Sequence, residues 1–198
     1  MTDNIQFYND NAKLYVNSIE NANISDQLQR FLDYIPVGGK ILDGGCGTGR
    51  DSLHMIKQGY DVTAFDASEK MAEIAASNTG LNVKVNIFEN IELIESSFDG
   101  VWCMSSLLHV HRDNMLSVIN KLYQSLKPGG YFYCTYKLRD HDFSDGCRHF
   151  TCYDEQSFRE LIAQTKFQIE SISELSDSRP NRDNEKWLCV LLKKQEMQ

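Results

Sequence analysis

The sequence predicts an α/β fold in which a mainly parallel sheet carries helices on both faces, and three observations predict it. Apolar runs of strand length alternate with helical periodicities along most of the chain, the cadence of a covered parallel sheet. A glycine-rich turn stands between the first of these strands and the helix after it. The last two strands are joined by a polar loop with no helix, and a parallel return needs a crossover of about ten residues or more, so they pair as an antiparallel hairpin.

Residues 26–34 set Leu28, Phe31, Leu32 and Ile35 at helical spacing, ahead of the turn Pro36-Val37-Gly38-Gly39. Strand 40–43 and helix 51–58 follow, then strand 61–65 and helix 69–77, then an apolar run over 82–88 with no evident long helix behind it. Strand 98–104, helix 114–126 and strand 131–136 continue the pattern, the last after Lys127-Pro128-Gly129-Gly130. Helix 154–164, strand 167–174, a polar loop over 176–184 and strand 186–192 close it. With 198 residues, 3 prolines and no repeat or low-complexity block, the chain reads as one domain without an internal linker.

A hydrophobic share of 41% and a charged share of 24% suit a chain with a buried core and exclude a disordered tail, a collagen-like repeat or a coiled-coil rod. The net charge of -8 leaves no electrostatic footprint for duplex DNA or an anionic membrane, so a small molecule is the expected partner. No apolar stretch approaches the ~20 residues that span a bilayer. Residues 1–10 are polar and lack the apolar segment of a secretory leader. The 6 cysteines, at 46, 103, 134, 147, 152 and 189, are therefore expected to be reduced thiols of a cytoplasmic protein.

The most informative segment is Ile41-Leu42-Asp43-Gly44-Gly45-Cys46-Gly47-Thr48-Gly49-Arg50-Asp51. Its glycines remove the Cβ atoms that would hold a ligand away from backbone N–H groups, and a helix opens directly after them. A nicotinamide or flavin fingerprint needs G-x-G-x-x-G, and the pattern from Gly45 fails at Arg50, which disfavours a dinucleotide. Asp66 ends the next strand about 20 residues further on, the spacing at which a carboxylate reaches ribose hydroxyls in such sheets. Arg50, a cation in the first turn of a helix, opposes the helix dipole unless an anion sits nearby.

The loop from Asp43 to Gly49, Asp66 with Ala67-Ser68, the strand Phe98-Asp99-Gly100-Val101-Trp102, Leu107-Leu108-His109-Val110 and Leu126-Lys127-Pro128-Gly129-Gly130 together resemble the class I S-adenosylmethionine-dependent methyltransferases. The likeness runs from about Tyr8 to the final strand and is nearest to the compact bacterial enzymes of generic or tellurite-resistance type. It implies a Rossmann-like seven-stranded sheet of order 3-2-1-4-5-7-6 with strand 7 antiparallel, in agreement with the terminal hairpin. It also implies cap helices over 1–35, a cofactor-binding core over 36–137, a lid loop over 138–153 and a terminal helix and hairpin over 154–198.

The same resemblance implies S-adenosylmethionine as cofactor and assigns roles. Asp43 would hold the methionine ammonium directly or through water, and Gly45 and Gly47 would let the loop pass beneath the cofactor. Gly44 is counted with them, although the family usually carries an apolar residue there. Asp66 would take the ribose diol, Ala67 and Met71 would border the adenine, and Phe88 and Glu89 would close its other side. Cys103 and Met104 would lie beside the sulfonium. The methionine carboxylate is the candidate anion for Arg50, with a guanidinium splayed to solvent as the alternative.

Transfer from a sulfonium asks mainly for alignment at ~3–3.5 Å and exclusion of water. A hydroxyl or protonated amine acceptor still needs a base, for which His109 is placed, the alternative being a histidine that pins its loop by hydrogen bonds. The acceptor is expected to meet Phe7, Tyr8 and Tyr15, the segment 136–153 with Tyr136 and Arg148, and Arg179 and Arg182 in the last loop. Lys137, Arg139, Arg148, Arg179 and Arg182 suit a carboxylate or phosphate, which points to a small anionic acceptor methylated on O or N, with solvated loop charges as the alternative.

Cys103-Met104-Ser105-Ser106 stands where amide and exocyclic-amine methyltransferases carry Asn-Pro-Pro-Tyr, so adenine N6 and glutamine are not the expected targets. Cys147, His149 and Cys152, with His141 upstream, lack C-x-x-C spacing, and no metal is expected. A cofactor-binding regulatory module without turnover and a nucleic-acid or protein methyltransferase are the alternative functions. A monomer or homodimer is expected.

Overall fold

The computed structural model describes residues 2–19, 25–177, 179, 182 and 184–196. Helices α1 (Thr2–Asp10), α2 (Ala12–Ile19) and α3 (Ser25–Leu32) precede the sheet. The alternating core follows as β1 (Lys40–Gly44), α4 (Arg50–Lys57), β2 (Asp61–Asp66), α5 (Glu69–Thr79), β3 (Lys84–Val85), β4 (Phe98–Cys103), α6 (Arg112–Ser125) and β5 (Leu126–Lys137). A small hairpin, β6 (Phe143–Asp145) and β7 (Arg148–Phe150), leads to α7 (Glu155–Ile162) and the terminal pair β8 (Phe167–Ser176) and β9 (Lys186–Lys194). Among the described residues, no helix is long and apolar enough to cross a membrane.

The large sheet has seven strands in the order β3-β2-β1-β4-β5-β9-β8. The first five run parallel, and β9 is antiparallel to both β5 and β8. Numbered within the sheet alone, this is the expected 3-2-1-4-5-7-6 with strand 7 reversed. Both faces are covered, so Ile41-Leu42 of β1 and Val101-Trp102-Cys103 of β4 are consecutive buried residues rather than alternating ones. Ile41 and Leu42 are fully buried in opposite layers: Ile41 with Phe31, Met55 and Trp102, and Leu42 with Phe65, Met115 and Phe132. Trp102 stacks on Tyr133 at 4.4 Å between ring centroids, which joins β4 to β5 under α3.

Three local readings change. The run over 82–88 keeps only β3 as strand; Phe88 leaves the sheet and packs edge-on against Phe65, at 5.0 Å. β5 begins at Leu126 rather than 131, because Leu126 pairs with Phe98 across a register shift before the regular ladder resumes at Gly100 and Tyr131. The segment expected as a lid loop contains the β6–β7 hairpin, turned at Gly146 with φ +61°. Phe143 and Phe150 stack across it at 4.8 Å, a cross-strand aromatic pair that holds so short a ribbon together.

Candidate active site

β1 stops at Gly44, and the chain turns through 45–49 into α4. The Gly45 and Cys46 N–H groups both donate to the Phe65 carbonyl, at 2.9 and 3.0 Å, which ties this loop to the end of β2. Gly45 has φ +69°, and a Cβ there would stand 2.4 Å from that of Ser106, so only glycine fits. At Gly47, with φ +56°, a Cβ would meet nothing within 4 Å. Gly47 lines a cavity of about 270 Å³ that opens over the carboxyl ends of the parallel strands.

Asp66 faces this loop. Its Oδ2 accepts the Gly47 N–H and its Oδ1 the Ser68 N–H, each at 2.8 Å. Burial raises the Asp66 carboxyl, and the backbone donors Ser68, Gly47 and Ala67 work against that rise. Asp43 is 2% exposed, and its Oδ2 accepts the Ser52 hydroxyl at 2.5 Å. Burial, then the neighbouring Asp51 charge, push Asp43 up to about 8. Asp51 accepts from Arg50 Nε at 2.7 Å and from the Trp102 indole N–H at 3.0 Å. The anion beside Arg50 is thus supplied by the next residue. Asp43, Asp51 and Asp66 all line this end of the cavity, a set of acceptors suited to a ligand bearing ammonium and sulfonium charge.

The other end of the cavity is built from α1, the β6–β7 hairpin and the β8–β9 connection. Asn4 grips the His149 backbone from both sides, accepting its N–H at 2.7 Å and donating to its carbonyl at 3.1 Å. His109 Nδ1 lies 3.0 Å from the same carbonyl, which assigns the proton to Nδ1; Nε2 then accepts the Tyr8 hydroxyl at 2.9 Å. Burial, reinforced by the positive charge of Arg148, lowers His109 to about 4 despite the His149 bond, so the ring is neutral at pH 7. Burial and neighbouring Tyr15, whose ring packs edge-on at 5.1 Å, push the Tyr8 hydroxyl well above its ordinary range.

Every cation of this end has a carboxylate partner. Arg148 pairs with Asp145 at 2.5 Å, Arg179 with Asp177 at 2.5 Å, Arg182 with Glu185 at 3.8 Å, and Lys137 with the same Glu185. Asp177 also accepts the Trp187 N–H at 3.1 Å. Arg179 and the other donors hold Asp177 down at about 2 against the effect of burial. Among the described residues, Arg182 and Lys137 share the one carboxylate of Glu185. The Arg148 Nε is buried and has no acceptor among the described residues.

Asp43, Gly45, Gly47, Arg50, Asp66, Ala67, Met71, Phe88, Glu89 and Met104 line the cavity at the glycine-loop end, and Tyr8, Tyr15, His109, Arg148, Arg179 and Arg182 at the other. Three expected site residues lie in the core instead. Cys103 is fully buried, and Tyr136, also fully buried, donates its hydroxyl to Met115 Sδ at 3.3 Å and packs on Tyr153 and Phe158. Gly44 is set behind the wall, where a Cβ would stand 2.9 Å from the Phe88 ring and 3.0 Å from Cys103 Sγ. The missing apolar side chain is replaced in space by these two neighbours. Arg139 lies over the Phe143 ring at 4.3 Å, exposed and outside the cavity. Asp51, Asn4 and Glu185 went unread in the sequence; only the acid in the first turn of α4, ahead of an apolar face, hinted at Asp51. No group of three or more His, Cys, Asp or Glu among the described residues could hold a metal ion.

A family described as a methyltransferase domain matches residues 16–175. Over 99 residues the chain is 38% identical to the ubiquinone biosynthesis O-methyltransferase of Dechloromonas aromatica, covering 47% of this chain and 42% of that protein. Over 163 residues it is 25% identical to the "Probable S-adenosyl-L-methionine-dependent methyltransferase TehB" of Haemophilus influenzae, covering 78% of this chain and 57% of that one. The chain spans about half the length of the curated relatives it matches. Its fold is similar to that of the 1,6-didemethyltoxoflavin-N1-methyltransferase of Burkholderia thailandensis, solved with 1,6-didemethyltoxoflavin and S-adenosylhomocysteine. The TM-score is 0.80 at 21% identity, covering 98% of this chain and 87% of the other.

Proposed function

The chain belongs to the methyltransferase-domain family, and from that premise we propose that it transfers a methyl group from S-adenosylmethionine to an oxygen or nitrogen of a small, anionic acceptor. The observation that carries the cofactor half is Asp66, oriented by the Gly47 and Ser68 N–H groups at the rim of a cavity whose loop wall is free of side chains. When bound, the cofactor supplies an electrophilic methyl on a sulfonium sulfur, which keeps the S–C electron pair as the acceptor bond forms.

Asp66 presents its oxygens to the ribose diol, and Asp43 faces the methionine ammonium. Ala67, Met71, Phe88 and Glu89 border the adenine, with Met104 nearest the sulfonium side. An ammonium beside Asp43 would favour its ionised form, against the rise imposed by burial and the Asp51 charge. His109 keeps its lone pair on the Tyr8 hydroxyl and acts as a positioning residue, not the base: a neutral ring held at about 4 beside Arg148 does not gather protons at neutral pH. Tyr8, fixed by His109, is left with an oxygen lone pair for the acceptor. The cluster of Lys137, Arg148, Arg179 and Arg182 in this part of the wall supports an anionic acceptor, and the likeness to an enzyme solved with 1,6-didemethyltoxoflavin supports a small-molecule one.

Calorimetry with S-adenosylhomocysteine tests the cofactor half: wild type binds and Asp66→Ala binds roughly a hundredfold more weakly. Absence of heat with wild type overturns the reading. Metabolite extracts incubated with labelled S-adenosylmethionine, followed by mass spectrometry, then identify the acceptor.

A further inference from the structure

At the acceptor end, the most deeply buried cation is Lys137, the last residue of β5, only 5% exposed and in the cavity wall. An ammonium removed from water needs a counter-charge. That counter-charge is Glu185, on the connection between β8 and β9. Glu185 is 28% exposed, lines the same cavity and has a second cation, Arg182, at 3.8 Å. If Glu185 leaves Lys137 it retains Arg182 as partner, so its own charge is not stranded.

Three aromatic rings turn their faces to the same ammonium: Trp187 at 5.2 Å, Phe150 at 5.7 Å and Phe143 at 5.8 Å from Nζ. All three line the cavity. Trp187 is held in place by its N–H bond to Asp177. Arg148 stands 5.2 Å from the Phe150 ring as well. The wall therefore offers an anion site set among flat apolar faces. Burial first, then the charges of Arg179 and Arg182, lower Lys137 to about 8.

Resting on the proposed methyl transfer, we infer that Lys137 selects an aromatic acid as the methyl acceptor: the acceptor's anionic group displaces the Glu185 carboxylate from the ammonium, Glu185 passes to Arg182, and the ring lies among Phe143, Phe150 and Trp187. Glu185 is then an internal substitute for the substrate anion, and it keeps a buried cation paired between turnovers.

The test uses the full chain saturated with S-adenosylhomocysteine and titrated calorimetrically with benzoate, phenylphosphonate, benzamide and acetate. Benzoate or phenylphosphonate is expected to bind about tenfold or more tightly than its neutral or non-aromatic counterpart. Which of the two acids binds better decides between a carboxylate and a phosphoryl acceptor. Lys137→Met should weaken the acid about tenfold or more without changing S-adenosylhomocysteine affinity. Glu185→Gln should strengthen it about threefold or more, since a competing carboxylate is gone; a pair that is merely structural has no reason to move in that direction. Equal binding of benzamide or acetate, no binding of either acid, or weaker acid binding in Glu185→Gln overturns the inference. Glu185→Gln decides the matter even if Lys137→Met does not fold. Should wild type give no heat with S-adenosylhomocysteine, the methyl-transfer reading itself falls and this one with it; a normal cofactor heat beside an indifferent Lys137→Met removes this inference alone.

Discussion

The two ends of the cavity are built by different means. The glycine-loop end is built on backbone and carboxyls: Gly45 and Gly47 in left-handed conformations, the Gly47 N–H directed at Asp66, and a carboxyl at the tip of β1. Its loop and carboxyls come from the consecutive units β1–α4 and β2–α5, with Phe88, Glu89 and Met104 added from after β3 and β4. The opposite end is made of long side chains, chiefly from α1, β5, the β6–β7 hairpin and the β8–β9 connection, each cation already holding a carboxylate. A preorganised backbone site recognises one invariant ligand, while a set of exchangeable ion pairs can be re-cut for different acceptors with little effect on the sheet.

This contrast is broken or sharpened by four measurements. The largest effect is expected at Asp66: replacement by Ala removes the carboxylate proposed to take the ribose diol and unties Gly47 and Ser68, with an expected cost of about 3 kcal/mol, or roughly a hundredfold, in S-adenosylhomocysteine affinity. A titration in which Asp66→Ala binds like wild type would show the backbone end to be dispensable.

Acidification should act next, and at the other end. His109 titrates near 4 when folded and near 6.5 when unfolded, so between these values the unfolded chain holds the extra proton. The stability contributed by its burial is complete above about 6.5 and declines as pH falls towards 4, by up to about 3 kcal/mol. Because His109 joins α1 to β7, hydrogen exchange at α1 and β6–β7 should quicken before the glycine loop does. Denaturant titrations of His109→Asn should show a flatter profile over this range, and one as steep as that of wild type would remove His109 as the cause.

The third measurement probes packing behind the loop. Gly44→Leu is expected to destabilise by about 2 kcal/mol, because the new side chain meets Phe88 and Cys103. Adding Phe88→Ala should recover part of that loss, a non-additivity measurable by urea unfolding. Purely additive losses would mean that Gly44 serves the turn and not the packing. The smallest effect belongs to Arg182→Ala: a side chain 40% exposed and 3.8 Å from its partner should contribute under about 0.5 kcal/mol, as checked by the same unfolding curves.

The fold was largely legible because periodicity and turn chemistry are local. The glycine loop, the strand-end Asp66 and the helix-free last connection needed only short windows of sequence. The edge run over 82–88 misled because apolar content does not distinguish a strand from a segment packing under its neighbour, as Phe88 does beneath Gly44. Cys103 and Tyr136 misled for a related reason: alternation along a strand places residues on two faces, and which face borders a ligand depends on what covers the other. Tyr136 is covered by Tyr153 and Phe158 from the chain after the hairpin, contacts no spacing rule foresees.

By itself the sequence determined the α/β order, the antiparallel ending, the glycine turn and the carboxylates at the tips of β1 and β2, since each rests on backbone conformations that neighbouring residues dictate. Only the tertiary structure decided that His109 is neutral and spends its lone pair on Tyr8, that burial and the Asp51 charge raise Asp43, and that Lys137 is paired with Glu185 across 48 positions. Those facts depend on burial and on charges brought together from distant segments, and a titratable group answers to that assembled environment rather than to its place in the chain.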